Sequence, residues 1–432
     1  MQNFLHNAKK NIDNYREKPK DFTRKRKLPF LFLSKFLSIL LKKSLQATLN
    51  DFFKEGATCT KSALCQARKK LKPLLFEDLF KESVIAFYKH HIQIKKFKKC
   101  RIWACDCSVQ ILPNNEDTQA MGVHKNQHKT VASIKLSAYF DVLNKILTSV
   151  KIYPKQKADL SCCLESQIKA IPKDVIAIYD RGYGSHILPF FHDLYGSKYV
   201  IRLKTGFSAT VKEFMESSEL DLTITEPLSR KCCKRLAEFG IKKTKTDLIT
   251  YRLVKIILPT GAIEILMTNL DKSFTMSDLS EIYRLRWGIE TCFLFLKSHQ
   301  ILGTFSGYSQ QVILQDIWIN LLFYNMQNIT NLEANLQAEN ISNKRKLNPS
   351  KRKKKENGGY QLNHNIGTAV LRDNWFALWE NKGKDLENTL QNMQIYYLQS
   401  IEMIQLNNKE RHQKRIRNND RHLTEINYKR GF

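Results

Sequence analysis

Apolar positions recur at helical spacing through the first 95 residues. Residues 28–41 are apolar except for Lys35 and two serines, and 14 positions are too few to cross a bilayer, which needs about 20. We interpret this stretch as a buried amphipathic helix. Helical spacing also holds over 44–56 and 60–88, with a glycine break between them. This pair resembles a helix-turn-helix, although any two helices joined at a glycine give the same pattern. We therefore predict a helical N-terminal domain over 1–95 that binds DNA.

Beyond residue 95 the pattern changes to strands that alternate with helices. Residues 174–180, DVIAIYD, are continuously apolar between two carboxylates, which is typical of a central strand covered on both faces. A helix is predicted over 185–194. The other predicted strands are 101–107, two strands within 129–154 around a turn at 141–144, and 198–204. This alternation predicts the α/β class.

Changes of pattern also divide the rest of the chain. Alternating segments indicate a mainly β insertion, after which helices return at 276–300 and 311–329. Residues 344–355 then hold eight basic side chains in twelve positions, which is typical of a solvated linker, and a last helix is predicted over 384–407. The predicted parts are 96–205 as the first part of a core, 206–272 as the β-rich insertion, 273–335 as the helical second part of the core, and 336–432 as a basic linker and C-terminal region.

The charge points to a polyanionic partner. Lys and Arg number 71 against 41 Asp and Glu, which gives a formal charge of +30. Self-repulsion of this size favours a protein that binds nucleic acid, with an acidic membrane as the rival partner. Without a secretion signal we expect a cytoplasmic protein whose ten cysteines are free thiols. No Cys-x-x-Cys pair occurs, so a structural zinc site is not predicted.

Three carboxylates are candidates for chemistry. Asp106 and Asp180 end predicted strands, and ligands of α/β sheets collect at the carboxyl ends of strands. Glu290 lies in the predicted helix 276–300. Three carboxylates are enough to hold two Mg²⁺ or Mn²⁺ ions beside a phosphate. The alternative is that each aspartate only forms a turn or caps a helix.

The helix around Glu290 strengthens the case for chemistry. At 100° per residue, Tyr283, Arg286, Glu290 and Lys297 fall within an arc of about 60°. A surface ion pair between Arg286 and Glu290, worth a few tenths of a kcal/mol, accounts for two of these residues and leaves the other two as coincidence. The apolar flank beside them consists of Ile282, Leu285, Ile289, Phe293 and Leu296.

The spacing Tyr-x₂-Arg-x₃-Glu-x₆-Lys resembles the signature of the insertion sequence 4 family of DDE transposases. The resemblance extends over about 60–330 and includes Asp-Arg-Gly-Tyr at 180–183. It implies that Glu290 is the third catalytic carboxylate, with Asp106 the first and Asp180 the second. The family commonly has glycine after the first Asp, where this chain has Cys107.

The resemblance implies a function as well as a site. It implies a ribonuclease H-like core that uses two Mg²⁺ ions, with Mn²⁺ as a substitute, to cut the ends of an insertion sequence and join them to target DNA. The three carboxylates would hold the metal ions. It further implies a hairpin intermediate, a homodimer on DNA and a place in the bacterial nucleoid. The residues expected to contact DNA are Tyr283, Arg286, Lys297 and Arg181.

Two other functions stay open: a catalytically decayed DNA-binding protein, and a ribonuclease H-like nuclease without strand transfer. Among other candidates, His124 and His128 have the i,i+4 spacing of zinc ligands, but no third ligand is evident. Cys105 and Cys107 flank Asp106 without a partner histidine, which favours inert thiols over nucleophiles.

Overall fold

The computed structural model describes residues 2–24, 26–39, 46, 49–50, 59–90, 93–125, 129–166, 168–347 and 359–404. These residues divide into two compact units. The unit that we call the helical unit takes the described residues of 1–91, 111–133 and 295–432, and the sheet unit takes those of 92–110 and 134–294. In the described part of the chain, no helix is long and apolar enough to span a membrane.

The fold is mixed α/β, as the sequence predicts. The described strands are β1 (Arg101–Ile111), β2 (Val123–Lys125), β3 (Thr130–Asp141), β4 (Ile146–Pro154), β5 (Val175–Tyr179), β6 (Lys198–Leu203), β7 (Asp221–Pro227), β8 (Leu248–Ile257), β9 (Ile263–Thr268), β10 (Tyr360–Leu362) and β11 (Ile401–Met403). In the sheet unit they run in the order β3-β1-β5-β6-β9-β8-β7, and β4 pairs with β3. Strand β5 pairs in parallel with β1 and with β6, whereas β3 with β4, β6 with β9, β8 with β9 and β7 with β8 pair antiparallel.

The predicted central strand is confirmed. Strand β5 lies between β1 and β6, and each of its five residues is buried. The predicted turn at 141–144 also joins two strands, β3 and β4. The helices of the sheet unit are Asp159–Ser166, Ile187–Tyr195, Ala209–Glu216, Arg230–Glu238, Met276–Arg284 and Trp287–Ser298, whose last residues belong to the helical unit. The predicted β insertion, 206–272, thus contains two of these helices beside β7, β8 and β9.

The helical unit contains two short strand pairs, β2 with the start of β3 and β10 with β11. Its longest described helix, Gln310–Thr330, lies where a helix is predicted over 311–329 and is buried around most of its circumference. The other described helices are Gln2–Lys10, Phe30–Leu37, Lys61–Arg68, Leu74–His90, Glu116–Gln119, Leu332–Leu347, His364–Asp373, Trp375–Glu380 and Gly383–Gln399. Short 3₁₀ turns complete the described helical structure at Ile12–Asn14, Ile168–Ala170 and Arg181–Tyr183.

Three predicted helices differ from the structure. The one expected over 60–88 is two helices, because Pro73 lacks a backbone N–H, and the second helix begins directly after it at Leu74. The one expected over 384–407 ends at Gln399 and a strand follows. The one expected over 276–300 is interrupted between Arg284 and Trp287, a break that is described with the site below.

Several predictions fall outside the described residues. They are the glycine turn of the helix-turn-helix at 56, most of the helix over 44–56, the end of the apolar stretch at 40–41, most of the basic run 344–355, His128 and the end of the chain.

A buried ion pair fastens two helices of the helical unit. Arg68 donates to Asp316 at 2.8 Å and to Gln315 at 2.6 Å, and the side chains of Arg68 and Asp316 are only 5% and 3% exposed. Breaking such a pair leaves the remaining charge buried without compensation.

We expect Arg68→Ala to lower the free energy of unfolding by about 3–5 kcal/mol, because it strands the Asp316 carboxylate. Urea unfolding followed by circular dichroism measures the loss. The exposed pair of Lys81 with Glu77 supplies the control, and Lys81→Ala should cost no more than about 1 kcal/mol. Equal losses in the two variants would contradict this account of Arg68.

Candidate active site

Strand register brings Asp106 and Asp180 to the same level of the sheet. Strands β1 and β5 pair in parallel, and Ala104 lies opposite Ile178. Two residues further along each strand direction lie Asp106 and Asp180. Neighbouring strands are about 4.8 Å apart, and residues level in a parallel pair project to the same face. The two carboxylates that the sequence singles out therefore come from adjacent strands at one place in the sheet unit.

Each aspartate is held by the local backbone. Oδ1 of Asp106 accepts the N–H of Cys107 at 2.7 Å. Oδ1 of Asp180 accepts the N–H of Gly182 at 2.9 Å and caps the 3₁₀ turn Arg181–Tyr183. A Cβ on Gly182 would lie 3.1 Å from that oxygen, so glycine lets the turn close on the carboxylate. The capping role that 'Sequence analysis' gives as the alternative to chemistry is therefore present for Asp180. It uses Oδ1 alone, and Oδ2 does not take part in the bond to Gly182.

Glu290 and Arg286 form the third part of the site. Nη2 of Arg286 lies 2.7 Å from Oε1 of Glu290, and their side chains are 8% and 40% exposed. The Nε atom of Arg286 is buried and has no hydrogen-bond partner in the described part of the chain. A buried cation with an unused donor is suited to an oxygen anion that comes from outside the protein.

A break in the helix sets the position of Arg286. The N–H of Arg286 bonds to the carbonyl of Tyr283 at 3.0 Å, and that of Gly288 bonds to Leu285 at 2.9 Å, so the chain makes 3₁₀-type turns here. A Cβ on Gly288 would lie 3.2 Å from Val142, which shows how closely the helix approaches the end of β3. The prediction of one continuous helix over 276–300 is therefore wrong.

The four predicted DNA contacts occupy different environments. Tyr283 is buried in the hydrophobic core. Arg286 is buried beside Glu290, whereas Arg181 is exposed on the turn after Asp180. Lys297 is exposed near the end of the helix Trp287–Ser298, in the portion that belongs to the helical unit. The predicted apolar flank of this segment is buried apart from Leu285, which is half-buried.

The charges of Asp180, Glu290 and Arg286 all act on the carboxyl of Asp106. Burial raises the pKa of Asp106 to about 6; the N–H of Cys107 and the charge of Arg286 oppose this rise, and the charges of Asp180 and Glu290 add to it. A carboxylate that is costly to ionise beside two others is stabilised by a cation. Ionising Asp106 in the folded protein is therefore costly unless a cation lies nearby.

The chemistry of this donor set fits a hard divalent cation. All three candidate ligands are carboxylates, the type of oxygen donor that Mg²⁺ and Mn²⁺ prefer. Among the described residues, no three His, Cys, Asp or Glu side chains are grouped closely enough to hold a metal ion. Glu290 is paired with Arg286 instead.

The thiols beside Asp106 lie in the core. Cys105 is fully buried, and burial raises its pKa well above the usual range. Cys107 is half-buried, and the hydroxyl of Tyr183 donates to its sulfur at 3.5 Å. All ten cysteines are free. A neutral, buried thiol is a poor nucleophile, in agreement with the inert role inferred from the sequence.

Trp287 is a residue of this region that the sequence reasoning missed. Its side chain is 59% exposed, and the Arg286 guanidinium lies 4.7 Å from its ring centroid. An exposed tryptophan beside a buried arginine offers a face for stacking. Its signal in the sequence is an aromatic residue on the polar side of the predicted helix.

Comparison with known proteins identifies the class. A model of the Transposase DDE domain family matches residues 108–326, slightly more than half of the chain. The match begins two residues after Asp106 and includes Asp180 and Glu290. The chain therefore belongs to the family of transposase DDE domains.

The other comparisons add less. The structure is similar, with a TM-score of 0.41 and 13% sequence identity, to a cryo-EM structure of the piggyBac transposase synaptic complex with hairpin DNA; the alignment covers 84% of this chain and 75% of that chain. No curated protein matches the sequence. The family match alone carries the assignment.

We expect Asp106→Asn to stabilise the protein in chelator at neutral pH. Folding raises this pKa from 3.8 to about 6, so wild type keeps its full stability below pH 3.8 and loses stability as the pH rises through about 6. The variant should gain up to about 3 kcal/mol above that range and nothing near pH 3. Urea unfolding at several pH values measures the difference.

Asp174 provides a matched control in the same unit. Burial raises its pKa, but hydrogen bonds and charges from Arg101 and Lys96 outweigh burial and hold that pKa below its usual value. Asp174→Asn should therefore destabilise at neutral pH, the opposite sign. A loss of stability on Asp106→Asn at pH 7.5 in chelator would contradict the account of Asp106.

Proposed function

We propose that this protein is a DNA transposase of the insertion sequence 4 type that cuts the ends of its element and joins them to target DNA. The observation that carries the proposal is the register that brings Asp106 and Asp180 to one level of adjacent parallel strands, within a chain that belongs to the DDE family. The charges of Arg286 and Glu290 also act on the carboxyl of Asp106. The resemblance of the Tyr/Arg/Glu/Lys spacing and of Asp-Arg-Gly-Tyr to that family supports the narrower assignment.

The three carboxylates would hold two Mg²⁺ ions, or Mn²⁺ in their place. When bound, such ions supply Lewis-acid stabilisation to in-line displacement at phosphorus. By holding the ions in fixed positions, the carboxylates would orient the reacting phosphodiester. Asp106 would do so from strand β1, Asp180 from the turn that directly follows β5, and Glu290 from a helix whose Arg286 partner can release it to a cation.

The cationic and aromatic side chains would hold the DNA. Arg286 has a spare buried Nε donor for a phosphate oxygen, and Arg181 is exposed on the turn that Asp180 caps. The exposed ring of Trp287 offers a face on which an unstacked base can lie. Tyr283 is buried, and it would act on DNA through its neighbour Arg286. Lys297 would contact phosphate from the end of the same helix.

The wider organisation is part of the proposal. We assign residues 96–205 and 273–335 to a ribonuclease H-like core, 206–272 to an insertion, and 1–95 to a DNA-binding domain. Residues 336–432 would add basic contacts. A dimer that holds both element ends and a hairpin intermediate follow from the family resemblance, as does a place in the bacterial cytosol.

Metal-dependent cleavage tests this proposal. Duplex DNA that carries the terminal repeats flanking the gene should be cut in Mg²⁺ or Mn²⁺, and not in Ca²⁺ or chelator. Undiminished cleavage in excess chelator would refute the metal mechanism. Binding to the ends without cleavage under any of these conditions would favour the decayed DNA-binding protein, and cleavage without joining would favour the nuclease.

A further inference from the structure

Cys107 is the position beside the first aspartate where this chain departs from the family, which commonly has glycine there. The residue lies on β1, and its side chain is half-buried. Glycine has no side-chain atom that can accept or donate a hydrogen bond, whereas a thiol does both weakly. The thiol of Cys107 can therefore make contacts that the common residue cannot, and the proposed chemistry does not use it.

The backbone ladder between β1 and β5 ends before it reaches the two aspartates. The last paired residues of these strands are Ala104 and Ile178, and β5 itself ends at Tyr179. Asp180 therefore lies on the turn beyond the strand. The ladder brings this turn to the level of Asp106, but the spacing of the two carboxylates depends on further contacts.

Cys107 contacts Asp106 directly and Asp180 through one other residue. Its backbone N–H donates to Oδ1 of Asp106 at 2.7 Å. Its sulfur accepts the hydroxyl of Tyr183 at 3.5 Å, and the backbone N–H of Tyr183 donates to the carbonyl of Asp180 at 3.1 Å. Three hydrogen bonds thus join the two catalytic candidates through Cys107 and Tyr183.

Both partners in the central contact are held in place. Tyr183 is only 2% exposed, and its ring centroid lies 5.5 Å from that of Tyr179. A tyrosine hydroxyl buried in this way cannot exchange its partner for water without a cost in free energy. On the other side, the thiol of Cys107 donates to the sulfur of Cys162 on the helix Asp159–Ser166. The sulfur of Cys107 is therefore fixed from two directions.

We propose that Cys107 is a positioning residue that sets the spacing of Asp106 and Asp180. The inference rests on the proposed function, in which these carboxylates hold metal ions. Cys107 acts through its N–H on Asp106 and through Tyr183 on the turn Arg181–Tyr183. Two ions that act on one phosphate lie about 3.5–4 Å apart, so loss of a fixed ligand spacing should weaken their binding.

Hydrogen exchange of the turn Arg181–Tyr183, followed by mass spectrometry in chelator, tests this link without metal or DNA. The N–H groups of Gly182 and Tyr183 bond to Asp180, so their exchange reports how firmly the turn is held. The test variants are Cys107→Ala, Tyr183→Phe and the two combined. Tyr183→Phe keeps the buried ring and removes only the hydroxyl, and near-ultraviolet circular dichroism checks that each variant folds.

Tyr397→Phe is the matched control, because it also removes one hydroxyl from a buried tyrosine. Tyr397 belongs to the helical unit, and its hydroxyl is hydrogen-bonded to that of Thr330 at 3.1 Å. The control should cost stability in the same way as Tyr183→Phe. It should leave exchange of the turn Arg181–Tyr183 within about twofold of wild type, since a lost hydrogen bond acts locally.

We expect Cys107→Ala and Tyr183→Phe each to speed exchange of the turn by about three- to tenfold, the effect of one lost hydrogen bond. The double variant should match the single variants, because both remove the same contact. Mn²⁺ affinity, measured by electron paramagnetic resonance of the free ion, should fall by about the same factor in all three. The control should keep the Mn²⁺ affinity of wild type.

Wild-type exchange of the turn in Cys107→Ala and Tyr183→Phe would overturn the proposal, and so would equal acceleration by Tyr397→Phe. Faster exchange with unchanged Mn²⁺ affinity would also overturn it, because Cys107 would then support the fold without positioning the ligands. Failure of the proposed function gives a different result. A wild-type protein that binds Mn²⁺ and never cuts DNA would refute that function and leave the exchange and affinity differences in place.

Discussion

Replacing Asp106 or Asp180 with asparagine should lower cleavage of element ends by at least about a thousandfold. Asparagine keeps the size of the side chain and one acceptor oxygen, but it loses the charge that binds a hard cation. The two carboxylates lie at the same level of the paired strands β1 and β5, and each comes from a different strand. The loss of one should therefore not be made good by the other. End-labelled duplex incubated in Mg²⁺ and resolved on a denaturing gel measures the loss.

The control for this pair is Asp174→Asn, at the opposite end of β5. Asp174 pairs with Arg101 at 2.6 Å and precedes the first residue of β5, whereas Asp180 follows the last residue of that strand. Its substitution should cost stability and leave the cleavage rate of the folded protein within a few-fold of wild type. Wild-type cleavage by either Asp106→Asn or Asp180→Asn would remove that residue from the mechanism.

Glu290→Gln should separate chemistry from DNA binding. Among Tyr283, Arg286, Glu290 and Lys297, Glu290 alone is a carboxylate, so its loss should reduce cleavage by several orders of magnitude. The same change frees the guanidinium of Arg286, which lies 2.7 Å from the Glu290 carboxylate. Binding of cut ends should therefore be kept or become tighter, as measured by gel shift in the same preparations.

Arg286→Ala and Lys297→Ala supply the complementary result. Each removes a charge-assisted contact to phosphate worth about 1.5–3 kcal/mol, so complexes with cut ends should weaken while cleavage in the remaining complex falls less. If Glu290→Gln cuts normally, the Arg286 pair is an ordinary ion pair, and Glu281, exposed on the preceding helix, becomes the nearest alternative carboxylate.

Local patterns in the sequence predict the strands on which the candidate site is built. The unbroken apolar run of β5 predicts burial on both faces, and the turn between β3 and β4 is visible in Asp141 and Asn144. The parallel pairing of β1 with β5 joins segments more than 70 residues apart, and no local pattern contains it. It was the family resemblance that predicted which carboxylates belong to one site.

The helices show where local patterns fail. Pro73 indicates a helix boundary, but apolar residues continue at helical spacing on both sides of it and favoured a single helix. The interruption before Trp287 has no such signal, because it depends on the approach of Gly288 to Val142 at the end of β3. The burial of Tyr283 likewise follows from packing against the sheet, which a helical projection cannot distinguish from a polar stripe.

The most direct test of the central claim is a joining reaction. Wild-type protein is incubated with Mg²⁺, a supercoiled target plasmid and labelled duplex that ends in the terminal repeat of its own element, with Asp106→Asn in parallel. The account predicts covalent transfer of the labelled 3′ end into plasmid by wild type and none by Asp106→Asn. Cleavage of the ends with no label entering the plasmid, in a wild-type preparation that binds both DNAs, would contradict it.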